Sequence, residues 1–132
     1  MKFFLKESKL KDAKIFIPGS KSESNRLLIL SSLYKNLSFE NLSNSDDTNY
    51  LLEALSKKNK TIDVGHAGTA MRFLTSLIAL QTTREIELKG SDRMHNRPLK
   101  ILVESLKKIG ASIQYLEKDG FPPLLIKPSK TF

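Results

Sequence analysis

Three times in this sequence an apolar, strand-like run stops at a glycine and a helical pattern follows. Ala13-Lys14-Ile15-Phe16-Ile17 leads into Pro18-Gly19, Thr61-Ile62-Asp63-Val64 into Gly65, and the run from Arg84 to Lys89 into Gly90. The chain has only 6 glycines, so the junctions claim a large share of them. Strands of period two alternating with helices of period 3.6 predict a mixed α/β fold.

The elements read in order as strands over 2–6 and 13–17, a helix over 22–34, a strand over 37–42 and a helix from about Ser45 to Lys57. A strand over 61–64, a helix over 69–80 and a strand over 84–89 follow. A helix begins at Pro98 and is capped by Gly110, and strands over 112–116 and 124–127 come last. Residues 61–127 therefore spell βαβαββ. Leu27, Leu28, Ile29, Leu30 and Leu33 leave little polar surface on the first helix, which predicts burial on most sides. No linker or low-complexity run divides the chain.

At 132 residues the chain has the length of one ordinary domain and can hold a core. Its 39% hydrophobic and 27% charged residues argue against wholesale disorder. The longest apolar stretches, 27–30 and 74–80, fall far short of the ~20 residues that span a bilayer. The run from Met1 to Lys6 is too short for a secretory signal, so a cytoplasmic protein is expected. With no cysteine there is no disulfide, thiolate metal site or thiol nucleophile.

The net charge of +8 favours anionic partners. Lysines are dispersed from Lys2 to Lys130, as on a solvated surface, whereas Arg26, Arg72, Arg93 and Arg97 lie in or beside the glycine loops. A nucleic-acid module would need clustered cations and exposed stacking aromatics, yet Trp is absent and Tyr numbers 3.

Three segments carry the candidate chemistry. Pro18-Gly19-Ser20-Lys21-Ser22-Glu23-Ser24-Asn25-Arg26 turns into a helix start, where backbone amides attract an anion, Ser20 and Ser22 add hydroxyls and Lys21 adds charge. An ordinary helix cap with a surface lysine fits the same residues. Gly65-His66-Ala67-Gly68-Thr69-Ala70-Met71-Arg72 repeats the arrangement. There His66 suits a turn, and Arg72 points into a pocket or pairs with an acid. In Gly90-Ser91-Asp92-Arg93-Met94-His95-Asn96-Arg97-Pro98, Arg93 and Arg97 form a fork for a carboxylate or phosphate, or are simply solvated. Asp46 and Asp47 read as helix caps rather than metal ligands. Strand-to-helix junctions gather at one edge of an α/β sheet, so together they predict a pocket for a small, multiply charged anion.

These segments resemble the N-terminal part of EPSP synthase (3-phosphoshikimate 1-carboxyvinyltransferase), as do Ser45-Asp46-Asp47-Thr48 and the stretch from Gly110-Ala111 to Pro122-Pro123-Leu124. The enolpyruvyl transferase acting on UDP-N-acetylglucosamine shares the fold but usually opens on a different loop. The resemblance implies the two-domain, inverse α/β barrel-like fold. Residues 1–17 would be strands belonging to the other domain, and 18–132 the first part of the substrate-binding α/β domain. It also implies transfer of the enolpyruvyl group from phosphoenolpyruvate to shikimate 3-phosphate, with release of phosphate, on the shikimate route to chorismate and the aromatic amino acids.

By position, Lys21 would contact both substrates as the catalytic cation. Ser22 and Arg26 would hold shikimate 3-phosphate, Gly68 and Arg97 would hold phosphoenolpyruvate, and Thr69, Arg72 and Arg93 would line the pocket. The resemblance implies no metal, no organic cofactor, no nucleic acid and no membrane, and a monomeric complete enzyme. It covers about the first third of the family's length, without the later acid/base groups, so the chain alone is expected to be inactive and to self-associate. His66 stands where the family usually has Asn, Phe73 where many members have Pro, and the stretch from Leu55 to Thr61 is shorter than in many members.

Overall fold

The computed structural model describes residues 3–4, 6–7, 12–34, 36–56 and 59–129. Helix α1 (Lys21–Leu33) and helix α2 (Asp46–Ser56) precede the strand β1 (Thr61–Asp63). Helix α3 (Gly68–Gln81), strand β2 (Ile86–Lys89), the single turn α4 (Asp92–His95) and helix α5 (Lys100–Lys108) follow. Strands β3 (Ser112–Tyr115) and β4 (Leu124–Lys127) come last. The βαβαββ order is as the sequence predicts.

The sheet order is β1-β2-β4-β3. β1 runs parallel to β2, and β4 lies antiparallel between β2 and β3, so the first three strands share one direction. Register sorts the side chains. Ile62 pairs with Leu88 and Leu88 with Leu124, while Ile86 pairs with Ile126 and Ile126 with Ile113. These rows share one face, and Ile62, Leu88, Leu124, Ile126 and Ile113 are all buried. The other face mixes polar residues with Leu125, which pairs with Glu87 and Gln114, and there Thr61 Oγ1 donates to Glu87 at 3.2 Å.

α3 covers that apolar face and touches α1, α2 and α5 as well. Ala70, Met71, Leu74, Leu77, Ile78 and Ala79 are buried, and the buried hydroxyl of Thr75 donates to the Met71 carbonyl at 2.7 Å. A helix surrounded on several sides must be apolar round most of its circumference, and the run from Ala70 to Leu80 supplies that. Each large side chain buried here contributes roughly 1.5–3 kcal/mol of transfer free energy.

Five expectations meet a different outcome. Residues 13–17 are extended but join no sheet among the described residues, and Ile15, Phe16 and Ile17 stand 81%, 84% and 72% exposed. The expected strand over 2–6 falls partly outside the described residues, and its Phe3 and Phe4 are exposed without regular structure. Residues 37–42 form no strand; Phe39 and Leu42 pack on the core while Asn41 takes a φ of 53°. α1 is not buried all round, since Leu30 and Leu33 are exposed and its buried face is Ser24, Asn25 and Leu28. Pro98 does not open α5. The helix starts at Lys100, after Leu99 takes a non-helical φ of -119° as N-cap, and the Leu99 amide, without a partner inside the helix, donates to the Gly120 carbonyl at 2.8 Å. Gly110, at φ 108°, ends α5 as the sequence predicts. The end of the α2 expectation, Lys57, lies outside the described residues.

Candidate anion site

Because β1 and β2 are parallel, the loops that leave them open at one end of the sheet. The Ser91 amide donates to the Gly65 carbonyl at 2.9 Å, stitching the second loop to the third. A Cβ on Gly90 would meet that carbonyl at 2.5 Å, so only glycine permits the approach. α3 then begins at Gly68 with no side chain capping its amides. Over this uncapped start lies Arg97, packed so closely that a Cβ on Gly68 would collide with Nη1. Among the described residues neither Arg93 nor Arg97 pairs with a carboxylate. A helix N-terminus and a guanidinium that converge in this way both attract negative charge.

The first loop reaches this place through α2. Lys21 Nζ stands 3.9 Å from Asp47 Oδ1, and His66 Nε2 stands 3.7 Å from Asp46 Oδ2. Tyr50 backs the turn, its ring edge-on to His66 at 5.9 Å between centroids and tight against Gly65. Sequence reasoning treats the α2 acids as caps and misses these contacts. Ser45 does act as a cap, its hydroxyl facing the Thr48 amide at 3.4 Å, but a pair of acids at a helix start names no partner across the fold.

Between α1 and α2 lies a buried polar seam. The Ser24 hydroxyl accepts from the Ser43 amide at 2.9 Å, and Thr48 Oγ1 donates to Asn25 Oδ1 at 2.9 Å. Asn25 Nδ2 is buried with no partner among the described residues. The seam fixes the start of α1, where Lys21 and Ser22 project to solvent.

Two of the predicted pocket cations are already engaged. Arg72 Nη2 donates to the Pro98 carbonyl at 3.2 Å, bracing the third loop from α3. Arg26 Nη1 donates to the Ser22 carbonyl at 2.9 Å, folded along its own helix. Ser20 caps α1 through the Glu23 amide at 3.5 Å rather than offering a free hydroxyl. Thr69 is half-buried beside Gly68, and Arg93 is exposed on α4. No group of three or more metal-ligating side chains occurs among the described residues. No helix there is long and apolar enough to cross a membrane.

A cleft of about 560 Å³, lined by Leu55, Ile62, Leu77, Arg84 and others, involves none of these residues. It sits by the ends of α2 and α3 and the start of β2, away from the loops.

A profile of the family described as EPSP synthase (3-phosphoshikimate 1-carboxyvinyltransferase) matches residues 55–131. The chain belongs to the EPSP synthase family. A 3-phosphoshikimate 1-carboxyvinyltransferase of Bacteroides fragilis (strain YCH46) is 43% identical over 128 residues, covering 96% of this chain and 31% of that relative. One of Histophilus somni (strain 2336) is 41% identical over 150 residues, covering 92% of this chain and 35% of the relative. The latter alignment is longer than the chain itself, so that relative carries residues this chain lacks. An EPSP synthase structure from Acinetobacter baumannii superposes with a TM-score of 0.72 at 20% identity, over 90% of this chain and 33% of that one, and shows the same fold. The chain spans about a third of the length of the curated relatives it matches.

Proposed function

We propose that this chain forms one wall of a site that transfers the enolpyruvyl group of phosphoenolpyruvate to shikimate 3-phosphate. The observation that carries the reading is Arg97 lying over the uncapped start of α3 at Gly68. That cradle fits the phosphate or carboxylate of phosphoenolpyruvate, and Lys21, Ser22 and Arg26 at the start of α1 fit the anion of shikimate 3-phosphate. Lys21 is the cation assigned to both reactants, and its contact with Asp47 keeps it at the helix start. Arg26 takes up a ligand by exchanging its own-helix carbonyl for a phosphate, a stronger charge-assisted bond.

Two reactants of like charge repel each other, and fixed cations on one rigid edge offset that repulsion while holding them together. The reaction needs no metal or organic cofactor. We propose that this third of the family's length, taken alone, binds without turning over. We place it in the cytoplasm, off membranes and nucleic acids.

Calorimetric titration tests the reading. Shikimate 3-phosphate should bind saturably and UDP-N-acetylglucosamine should not; the reverse order would reject it. Phosphate release from the two substrates by the purified chain, above blank, would reject the claim of inactivity.

A further inference from the structure

α4 carries Arg93 at its start and precedes Arg97 by two residues, yet a single helical turn cannot hold itself in place. Its inward hold is Met94, 1% exposed and packed on Gly90. The connection between β3 and β4 supplies the outer hold. The Gly120 carbonyl accepts from the Leu99 amide at 2.8 Å, and Asp119 accepts from Lys100 Nζ at 2.8 Å. A third contact lies nearer the arginines, where His95 Nδ1 faces Glu117 Oε2 at 3.8 Å. The imidazole is three-quarters covered, and its Nε2 is buried with no partner among the described residues. A ring buried at one nitrogen has only the other for an orienting contact, and Glu117 is the group there.

We propose that His95, oriented by Glu117, is a positioning residue that holds Arg97 over Gly68. The inference rests on the anion-site reading for its consequence, though not for its geometry. Glu117 is reached 20 residues after Arg97 through α5 and β3, so the connection acts as a buttress behind the cradle.

The test exploits the sign of the charge. Removing a carboxylate from a chain of net charge +8 should, by charge alone, leave anion binding unchanged or tighter. If Glu117 acts through position, Glu117→Ala should instead weaken sulfate binding, by about 3- to 10-fold. Glu117→Gln, which keeps an acceptor, should restore most of the loss. Glu104→Ala, on α5 beside Lys107, removes the same charge and should not weaken sulfate. A thermal midpoint unchanged in Glu117→Ala separates positioning from unfolding.

An arm independent of anion binding is the Arg97 side-chain Nε–H signal in nitrogen-15 NMR. Glu117→Ala should make it more mobile while the backbone of α3 stays as ordered as before. An equally ordered Arg97 in that variant, or sulfate binding as tight as in the unaltered chain, overturns the proposal. Failure of the unaltered chain to bind sulfate rejects the anion-site reading, and the Arg97 signal then decides the positioning claim alone.

Discussion

The guanidinium of Arg97 occupies the space that a side chain on Gly68 would need. Gly68→Ala should therefore push Arg97 aside rather than disrupt α3, because the obstacle is the tip of a flexible side chain and alanine favours helix. Phosphoenolpyruvate or sulfate affinity should fall by about 10-fold with little change in thermal midpoint, roughly the loss of one charge-assisted hydrogen bond. Unchanged affinity in a folded variant would separate Gly68 from the site.

The same cradle predicts the effect of deleting cations. In a chain extended to the full length of its relatives, Lys21→Ala or Arg97→Ala should lower kcat/KM by about two orders of magnitude or more. That follows from about 2–4 kcal/mol of lost transition-state stabilisation. A near-normal value for either variant would mean that the mapping of roles is wrong. Arg72→Ala acts differently, since Arg72 braces Pro98: it should loosen the third loop and raise KM more than it lowers kcat.

Much of the fold was legible in the sequence because α3 and the βαβαββ order depend on local period and on glycine at the junctions. The misreadings share one cause. At α1 the pattern of Leu27 to Leu33 points to burial, but of these only Leu28 is fully buried, and it shares that face with Ser24 and Asn25, whose polar groups meet Ser43 and Thr48 across the fold. Residues 13–17 have strand composition, yet a strand exists only where a neighbour completes its ladder. That Arg26, Arg72, Arg93 and Arg97 lie in or beside the glycine loops is visible in the sequence. That Arg72 would be spent on a carbonyl, and that Asp46 and Asp47 would face His66 and Lys21, depends on three-dimensional proximity that no spacing encodes.

The exposed Ile15, Phe16 and Ile17, with Phe3 and Phe4, predict association of the isolated chain. Light scattering across a concentration series should show mass rising with concentration, and Phe16→Lys should reduce it. A strictly monomeric chain that binds no hydrophobic dye would show these faces to be covered.

Stability should fall at the alkaline end. A hydrogen bond and then the charge of Asp119 hold the Lys100 pKa above its ordinary 10.5, and burial, with Glu104 next, raises that of Tyr115 above 10.0. Both groups bind a proton more tightly in the folded state, so their stabilisation is full below the unfolded pKa values and is lost as pH rises through the folded ones. The thermal midpoint should drop from about pH 10 upward. Tyr115→Phe should make that drop shallower at little cost at neutral pH, because the buried Oη has no partner among the described residues. A drop of equal steepness in that variant would rule out Tyr115 as a contributor.

A basic chain must also be distinguished from a nucleic-acid binder. Fluorescence polarisation with a labelled oligonucleotide should show weak binding with a shallow salt slope. Tight binding with a steep slope would favour the module that the composition argues against.

The central claim is that three separate loops make one anion site. Amide NMR during titration with shikimate 3-phosphate and then phosphoenolpyruvate measures it directly. Saturable shifts should appear together in residues 20–26, 65–72 and 90–98, with those of the apolar cleft around Leu77 and Ile86 unmoved. Shifts confined to one loop, or centred on that cleft, would contradict the account.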